Sequence, residues 1–303
     1  LVKENLKNIS IEEFFLKNSV LLENLSSEPW SIVNKNNKTL LDYISNLNDK
    51  KNIIDWSKIS IFRGLLTGLN KVFIINDDLK NQFPKKEQKI FEKILRGSCL
   101  ENLTFKWDNN WIINSHNGYN KNQRINVINN YPKIYEYLSK YKKELTKRQD
   151  KGDHWSNLRN CAYMESFKLP KVAWMNMNRK WKFSFIPENY MIEASLNFIA
   201  DKKYAKYFTC ILSSNVHLWF FRQVGRIFDD GGYMTKIETI KRFPIPIPND
   251  AELNTFNTIV DNTIINKNNL ENYYNEINDN TYKIYELNRN QINIIENDLP
   301  FDD

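Results

Sequence analysis

The hexapeptide Phe243-Pro244-Ile245-Pro246-Ile247-Pro248 constrains the fold more than any other stretch of the chain. Proline at every second position removes the N–H groups that a helix or a central strand depends on, so this segment forms neither and marks the end of a domain. The two sides differ in charge. Residues 249–303 hold three basic side chains (Lys267, Lys283, Arg289) and eleven acidic ones, a net of −8, so the total of +7 leaves +15 on residues 1–248. A polyanion would attract the longer part and repel the tail. Leu253, Phe256, Val260 and Ile264 recur at helical spacing after the prolines, an Asn-rich break follows, and a last short helix is expected near Gln291 to Glu296. We expect this acidic tail to pack on protein.

At 303 residues the chain can bury an ample core. Cys99, Cys161 and Cys210 are too few and too scattered for a disulfide framework, and their reduced state fits the cytoplasm. No CxxC or His/Cys cluster suggests zinc. Without a long apolar run, neither export nor membrane insertion is indicated. A start at Leu1 rather than methionine reads as a fragment of something longer.

Along the chain, Ser10 before Glu12 and Glu13 opens one helix, and Leu40, Leu41, Ile44 and Leu47 define another ending near Asn48. Residues 58–80 read as strand, tight turn, strand, with Ile59 to Phe62 and Val72 to Ile75 joined through Arg63-Gly64-Leu65-Leu66-Thr67-Gly68-Leu69-Asn70. The two glycines allow close backbone approach, either as a structural hairpin or as a phosphate cradle; neither a Walker lysine-serine pair nor a three-glycine fingerprint follows. A second Arg-Gly stands at Arg96-Gly97, ahead of a strand-like run from Trp111 to Asn114. Pro132 opens one helix with Ile134, Leu138, Tyr141 and Leu145 on its buried stripe and Lys133, Lys140, Lys142, Lys143 and Lys147 on its other face. Extended runs follow at 171–174, 182–186 and 195–199. Asp201 then caps a strongly apolar helix from Tyr204 to Phe221, and Gly231-Gly232-Tyr233 reads as a loop. The domain plan is a lead-in (1–57), a central domain (58–248) and the acidic helical segment (249–303).

One stretch suggests a ligand. Between Lys147 and Arg226, basic side chains are interleaved with Trp155, Trp174, Trp181 and Trp219, a pattern that suits neutralising phosphates and stacking on bases and that a core with surface lysines would also produce.

The ordered set Arg63-Gly64-x-x-Thr67-Gly68-x-Asn70-x-x-Phe73-Ile74-Ile75, Leu95-Arg96-Gly97, Tyr131-Pro132-x-Ile134-Tyr135, Trp155-x-x-Leu158-Arg159-x-Cys161-x-Tyr163, Pro170-Lys171 and Pro244-Ile245-Pro246 resembles the TaqI-type C-terminal specificity domain. That domain is the target-recognition part of adenine-specific DNA methyltransferases and of single-chain type IIG restriction-modification enzymes. The tail Ile284-Tyr285-Glu286-Leu287 resembles the end of those polypeptides, and the likeness runs over about residues 25–296. One departure is Ser98-Cys99-Leu100-Glu101-Asn102, where the family continues with an Asp-Ile-Lys-Arg-aromatic run.

The resemblance implies an α+β fold of short strands and packed helices, with residues 58–248 as a domain that binds double-stranded DNA. It also implies catalytic domains of the same polypeptide as partners, and S-adenosylmethionine and Mg2+ as cofactors of those domains rather than of this chain. The glycine-rich methyl-donor loop and the Asn/Asp-Pro-Pro-aromatic motif are missing from this sequence, so the chain alone is expected to be catalytically silent. We expect Arg63, Lys71 and Arg96 to contact phosphates and Arg148, His154, Trp155, Arg179, Arg226 and Tyr233 to approach the grooves, together with Arg159, Lys180, Arg222 and Lys236. For Trp155 and Arg159 a structural role, ring inward and arginine paired, stands equally open. Two rival functions are a nuclease fragment, for which Asp78-Leu79-Lys80 with Asp55 upstream is the nearest imitation of a metal site, and an interaction scaffold resting on the acidic tail.

Overall fold

The computed structural model describes residues 10–19, 35–46, 50–52, 56, 59–149, 151–228 and 231–299, and their fold is α+β. The strands are β1 (Lys50–Asn52), β2 (Ile61–Arg63), β3 (Ile74–Asn76), β4 (Phe91–Leu95), β5 (Asn110–Ile113), β6 (Lys171–Met175), β7 (Ser184–Ile186), β8 (Tyr190–Ile192), β9 (Leu196–Ala200) and β10 (Pro244–Pro246). One sheet has the order β2-β9-β6-β7 and is antiparallel throughout; the other has the order β3-β5-β4-β8, with β8 parallel to β4. β1 and β10 form a separate two-stranded pair, which accommodates the alternating prolines because no further strand has to bond them.

The first sheet is a middle layer. Successive side chains of a strand point to opposite faces, and β6 is apolar on both. Val172 and Trp174 enter one core with Phe183, Phe185 and Ile199, whereas Ala173 enters the other with Ile186, Leu196 and Phe198. The first core is closed by the helices Ala205–Ser213 and Asn215–Val224 and by the tail helices, the second by β3-β5-β4-β8 and the helix Pro132–Ser139. That last helix has no side-chain cap of its own. Glu87, 1% exposed, serves instead by accepting from the N–H groups of Lys133 and Ile134 at 3.0 Å each.

The acidic tail folds as helices Asp250–Ile265, Leu270–Ile284 and Arg289–Asp298, which share the first core with Trp174 and Trp219. Its stripe departs from expectation at one position. Leu253, Phe256 and Val260 are buried, but Ile264 is 46% exposed and Thr263 faces inward instead. Ile259 and Thr263 are buried with Phe256, so the buried face is centred to that side of the stripe and Ile264 falls at its far edge, beyond Leu253. The lead-in helix Lys35–Asn46 inserts Leu40 and Ile44 into the same core.

Other expectations need correction. Residues 59–75 are not a hairpin, since β2 pairs with β9 and β3 with β5 in the other sheet. Thr67 Oγ1 donates to Asn70 Oδ1 (2.6 Å) and accepts from the Leu69 N–H (3.0 Å), bending the chain into the one-turn helix Asn70–Phe73. The helix opened by Pro132 is divided into Pro132–Ser139 and Lys142–Lys147, where the Lys140 and Tyr141 N–H groups fall back on carbonyls three residues earlier. The apolar helix after Asp201 breaks at Ser214, whose extended backbone and hydroxyl start the helix Asn215–Val224.

Candidate nucleic-acid interface

Strand directions bring four connections to one edge. β2 and β6 each lie antiparallel to β9 between them, so both end, at Arg63 and Met175, where β9 begins. β4 and the parallel β8 end beside this place and lead into Arg96 and Glu193. Main-chain bonds fix the junction: Gly64 N–H donates to Leu196 O (2.8 Å), Leu65 N–H to Ile192 O (2.7 Å) and Glu193 N–H to Leu95 O (2.9 Å). A Cβ on Gly64 would lie 2.1 Å from the Glu193 carbonyl oxygen, so glycine is required for this approach of two backbones.

A fifth segment, of which residues 226–228 and 231–236 are described, is tied to the same edge. Tyr233 and Asn178 exchange main-chain bonds (2.6 and 3.0 Å), the Thr235 hydroxyl donates to Met175 O (2.5 Å), and the Met234 N–H donates to Arg226 O (3.0 Å). Arg63, Arg96, Arg179, Lys180, Arg226 and Lys236, from four separated stretches of sequence, therefore stand exposed around one edge of the two sheets. Arg63 Nε donates to Ala194 O at 3.0 Å, and Arg96 pairs with Asp108 at 2.7 Å. The bond to Asp108 raises the Arg96 pKa, and in return holds the Asp108 carboxyl below its usual range against the opposing effect of its partial burial. Lys71 is exposed and paired with Glu144 at 2.6 Å.

The other expected site residues are buried or half-buried. Arg148 donates to Leu145 O (3.2 Å), Thr67 O (2.6 Å), Trp155 O (2.7 Å) and Asn157 O (2.7 Å), with its guanidinium over the Phe73 ring. Burial and, secondarily, the Arg159 charge push its pKa down to about 10. Its side chain fastens the Gly68 turn to residues 155–157 and so braces the structure. Trp155 is 9% exposed and packs on Tyr135 (5.5 Å), the structural alternative left open by its sequence. Tyr233 is buried against Trp181 (5.6 Å) and Phe221 (5.9 Å), which also anchors the loop begun by Gly231. His154 and Arg222 are half-buried, as is Arg159, which runs beside Arg148 at Gly68. Burial lowers the His154 pKa, helped by Arg124 and Lys142.

The edge also holds Asn70 of the glycine-flanked motif and four side chains that the sequence did not single out, Asn176, Glu193, Ser195 and Asn197. Asn70 Nδ2 donates to Glu193 Oε1 (3.0 Å), Ser195 donates to Glu193 Oε2 from its N–H (3.1 Å) and its hydroxyl (2.5 Å), and Asn197 Nδ2 donates to Asn176 Oδ1 (2.6 Å). Their signal was weak, because a strand-to-strand connection such as Glu193-Ala194-Ser195 reads as an ordinary turn.

Among the described residues no group of three His, Cys, Asp or Glu side chains is placed to share a metal ion. Asp78 is exposed on the short helix Asp77–Asn81, Asp77 accepts from Trp111 Nε1 (2.6 Å), Lys80 lies over the Trp111 ring, and Asp55 lies outside the described residues. No described helix is long and apolar enough to cross a membrane.

No protein-family model and no curated protein matches the sequence. Among solved structures, the chain superposes on the type IIL restriction-modification enzyme MmeI, determined in complex with DNA, with a TM-score of 0.60 at 14% identity. The alignment covers 82% of this chain and 35% of MmeI. The type IIG restriction endonuclease BpuSI aligns over 75% of this chain and 28% of its own, with a TM-score of 0.48 at 13% identity. The chain thus spans about a third of the length of MmeI and has the fold of that part of a restriction-modification enzyme.

Proposed function

We propose that this chain is the target-recognition portion of a larger restriction-modification enzyme, a TaqI-type specificity domain whose loop edge holds duplex DNA and reads a short sequence in it. The gathering of Arg63, Arg96, Arg179, Lys180, Arg226 and Lys236 on one edge is the observation that carries this reading. Sequence separation alone would scatter them, and six cations around one edge form the electrostatic footprint that a phosphate backbone requires. The acidic helices bury their apolar stripe in the first core. The fold likeness to a DNA-bound restriction-modification enzyme supports the same reading. Within it, catalytic domains of the same polypeptide would hold S-adenosylmethionine and Mg2+ and act on an adenine extruded from the site gripped here.

Charge reversal tests it. Arg63→Glu, Arg179→Glu and Arg226→Glu together should weaken duplex binding more than about tenfold at low salt and flatten its salt dependence. Lys202→Glu with Lys203→Glu is the control, because these exposed residues follow the far end of β9. Equal losses in both variants, or no loss in the first, would refute the placement of the interface.

A further inference from the structure

Glu193 is out of place electrostatically. It sits at the junction of the two sheets between Arg63, whose side chain is bonded to the adjacent Ala194, and Arg96, whose charge it influences. An edge that grips phosphates gains nothing from a carboxylate, which adds repulsion where attraction is wanted. Asp108 does not raise the same difficulty, because Arg96 neutralises it at 2.7 Å. The Glu193 carboxylate is instead held by neutral donors, Asn70 Nδ2 on one oxygen and the Ser195 N–H and hydroxyl on the other.

Its backbone is also the best-fixed part of the edge. Residues 192–196 are bonded to Gly64, Leu65 and Leu95, and the Leu196 N–H closes the turn onto Glu193 O (3.0 Å). Gly64 lies so close to Glu193 that no side chain fits between them. A rigid, half-buried carboxylate oriented by neutral donors keeps further lone pairs, since each carboxylate oxygen can accept more than one bond.

In a major groove only two kinds of group donate hydrogen bonds from the bases, the N4 amine of cytosine and the N6 amine of adenine. We propose that Glu193 is a specificity-determining residue that accepts a hydrogen bond from such an exocyclic amine, so that the recognised sequence contains a cytosine or adenine at one fixed position. This rests on the DNA-binding reading above. It adds that the Asn70–Glu193–Ser195 cluster is a base-reading element, whereas the surrounding arginines position the duplex.

The test combines both partners. Selection from a randomised duplex library by the wild-type chain should yield a motif in which one position demands cytosine or adenine. Replacing that base by an analogue lacking only the exocyclic amine, 2-pyrimidinone for cytosine or purine for adenine, should weaken wild-type binding about tenfold or more. Glu193→Met, which has the length of the side chain but no carboxylate or amide acceptor, should lose the preference at that position alone and bind the analogue and the natural base alike. The analogue experiment uses unaltered protein and therefore holds even where a variant misfolds. A selected motif that Glu193→Met leaves unchanged, or a loss spread evenly over all sequences as expected of a loop brace, would overturn the proposal while leaving DNA recognition standing. Failure of the wild-type chain to bind duplex at low salt would overturn both.

Discussion

The Tyr285 hydroxyl lies 3.3 Å from Nε2 of His217, and both side chains are buried in the first core. The hydroxyl donates to the carbonyl of Pro244, and the histidine ring faces its oxygen. Three parts of the chain meet here: the helix Asn215–Val224, the proline-rich strand β10 and the end of the acidic tail. The tail is thereby part of the fold. Tyr285→Phe should lower stability by about 1–3 kcal/mol, the cost of leaving buried polar groups without partners, as read by chemical denaturation. Removal of residues 249–303 should abolish cooperative unfolding, since Trp174, Tyr207 and Trp219 would lose their cover. A truncated chain that still melts cooperatively would refute this.

The same histidine makes stability fall in acid. Burial pushes the His217 pKa down to about 3 from 6.5, so between these values the unfolded chain binds a proton that the folded one refuses. The stabilisation is complete above pH 6.5 and is lost as pH falls towards about 3, at roughly 1.4 kcal/mol per pH unit. His217→Asn should be less stable at pH 7 and show a shallower decline between pH 6 and 4. An unaltered slope would assign the acid sensitivity to other groups.

Lys171 predicts a dependence at the other end of the scale. It is fully buried, and its ammonium group donates to the carbonyls of Phe167 (2.8 Å), Tyr190 (3.1 Å) and Pro187 (3.5 Å). Burial pushes its pKa down to about 7, only partly offset by Glu188. The folded chain therefore sheds this proton near pH 7 while the unfolded chain keeps it to about 10.5, and stability rises with pH across that window. Lys171→Met should flatten the rise in denaturation midpoint between pH 7 and 9; an unchanged rise would show that Lys171 does not cause it.

Arg148 separates bracing from DNA contact. Arg148→Met leaves three or more carbonyl oxygens around the Gly68 turn without a donor, and should cost about 3 kcal/mol of stability. Whatever DNA affinity is lost should be lost equally for every sequence. Selective loss at one base pair in a variant of undiminished stability would return Arg148 to the groove.

Gly64 should be the least replaceable residue of the edge. In Gly64→Ala the new methyl would meet the Glu193 backbone at 2.1 Å, and no flexible side chain is available to yield. A loss of at least about 2 kcal/mol is expected, and thermal melting would measure it. A stability equal to wild type would mean that the two sheets do not approach this closely.

Much of this fold was legible in order along the chain. β6, β7 and β9 announced themselves as short apolar runs because both their faces are buried, and the tail helices because their stripe repeats at 3.6 residues. The break at Ser214 was hidden, because apolar periodicity continues through it and only the serine's extended backbone interrupts the helix. The loop edge was half-readable. Arg63 and Arg96 stood out beside their glycines, but nothing local indicated that β2, β4 and β6 end at the same place, which follows from pairings between distant strands. Trp155, Tyr233 and Arg148 were ambiguous for a related reason. Alternating basic and aromatic residues look alike in a groove and in a core, and the carbonyls that occupy Arg148 come from segments as far away as Thr67.

Hydrogen–deuterium exchange with and without duplex DNA tests the central claim most directly, because it reports the loop edge and the acidic tail in one measurement. Binding should slow exchange at residues 63–70, 96–97, 176–180 and 231–236 and leave the helices between Asp250 and Asp298 unchanged. Protection of those helices, with none at the loops, would show that the acidic face meets DNA and that the edge of the two sheets does not.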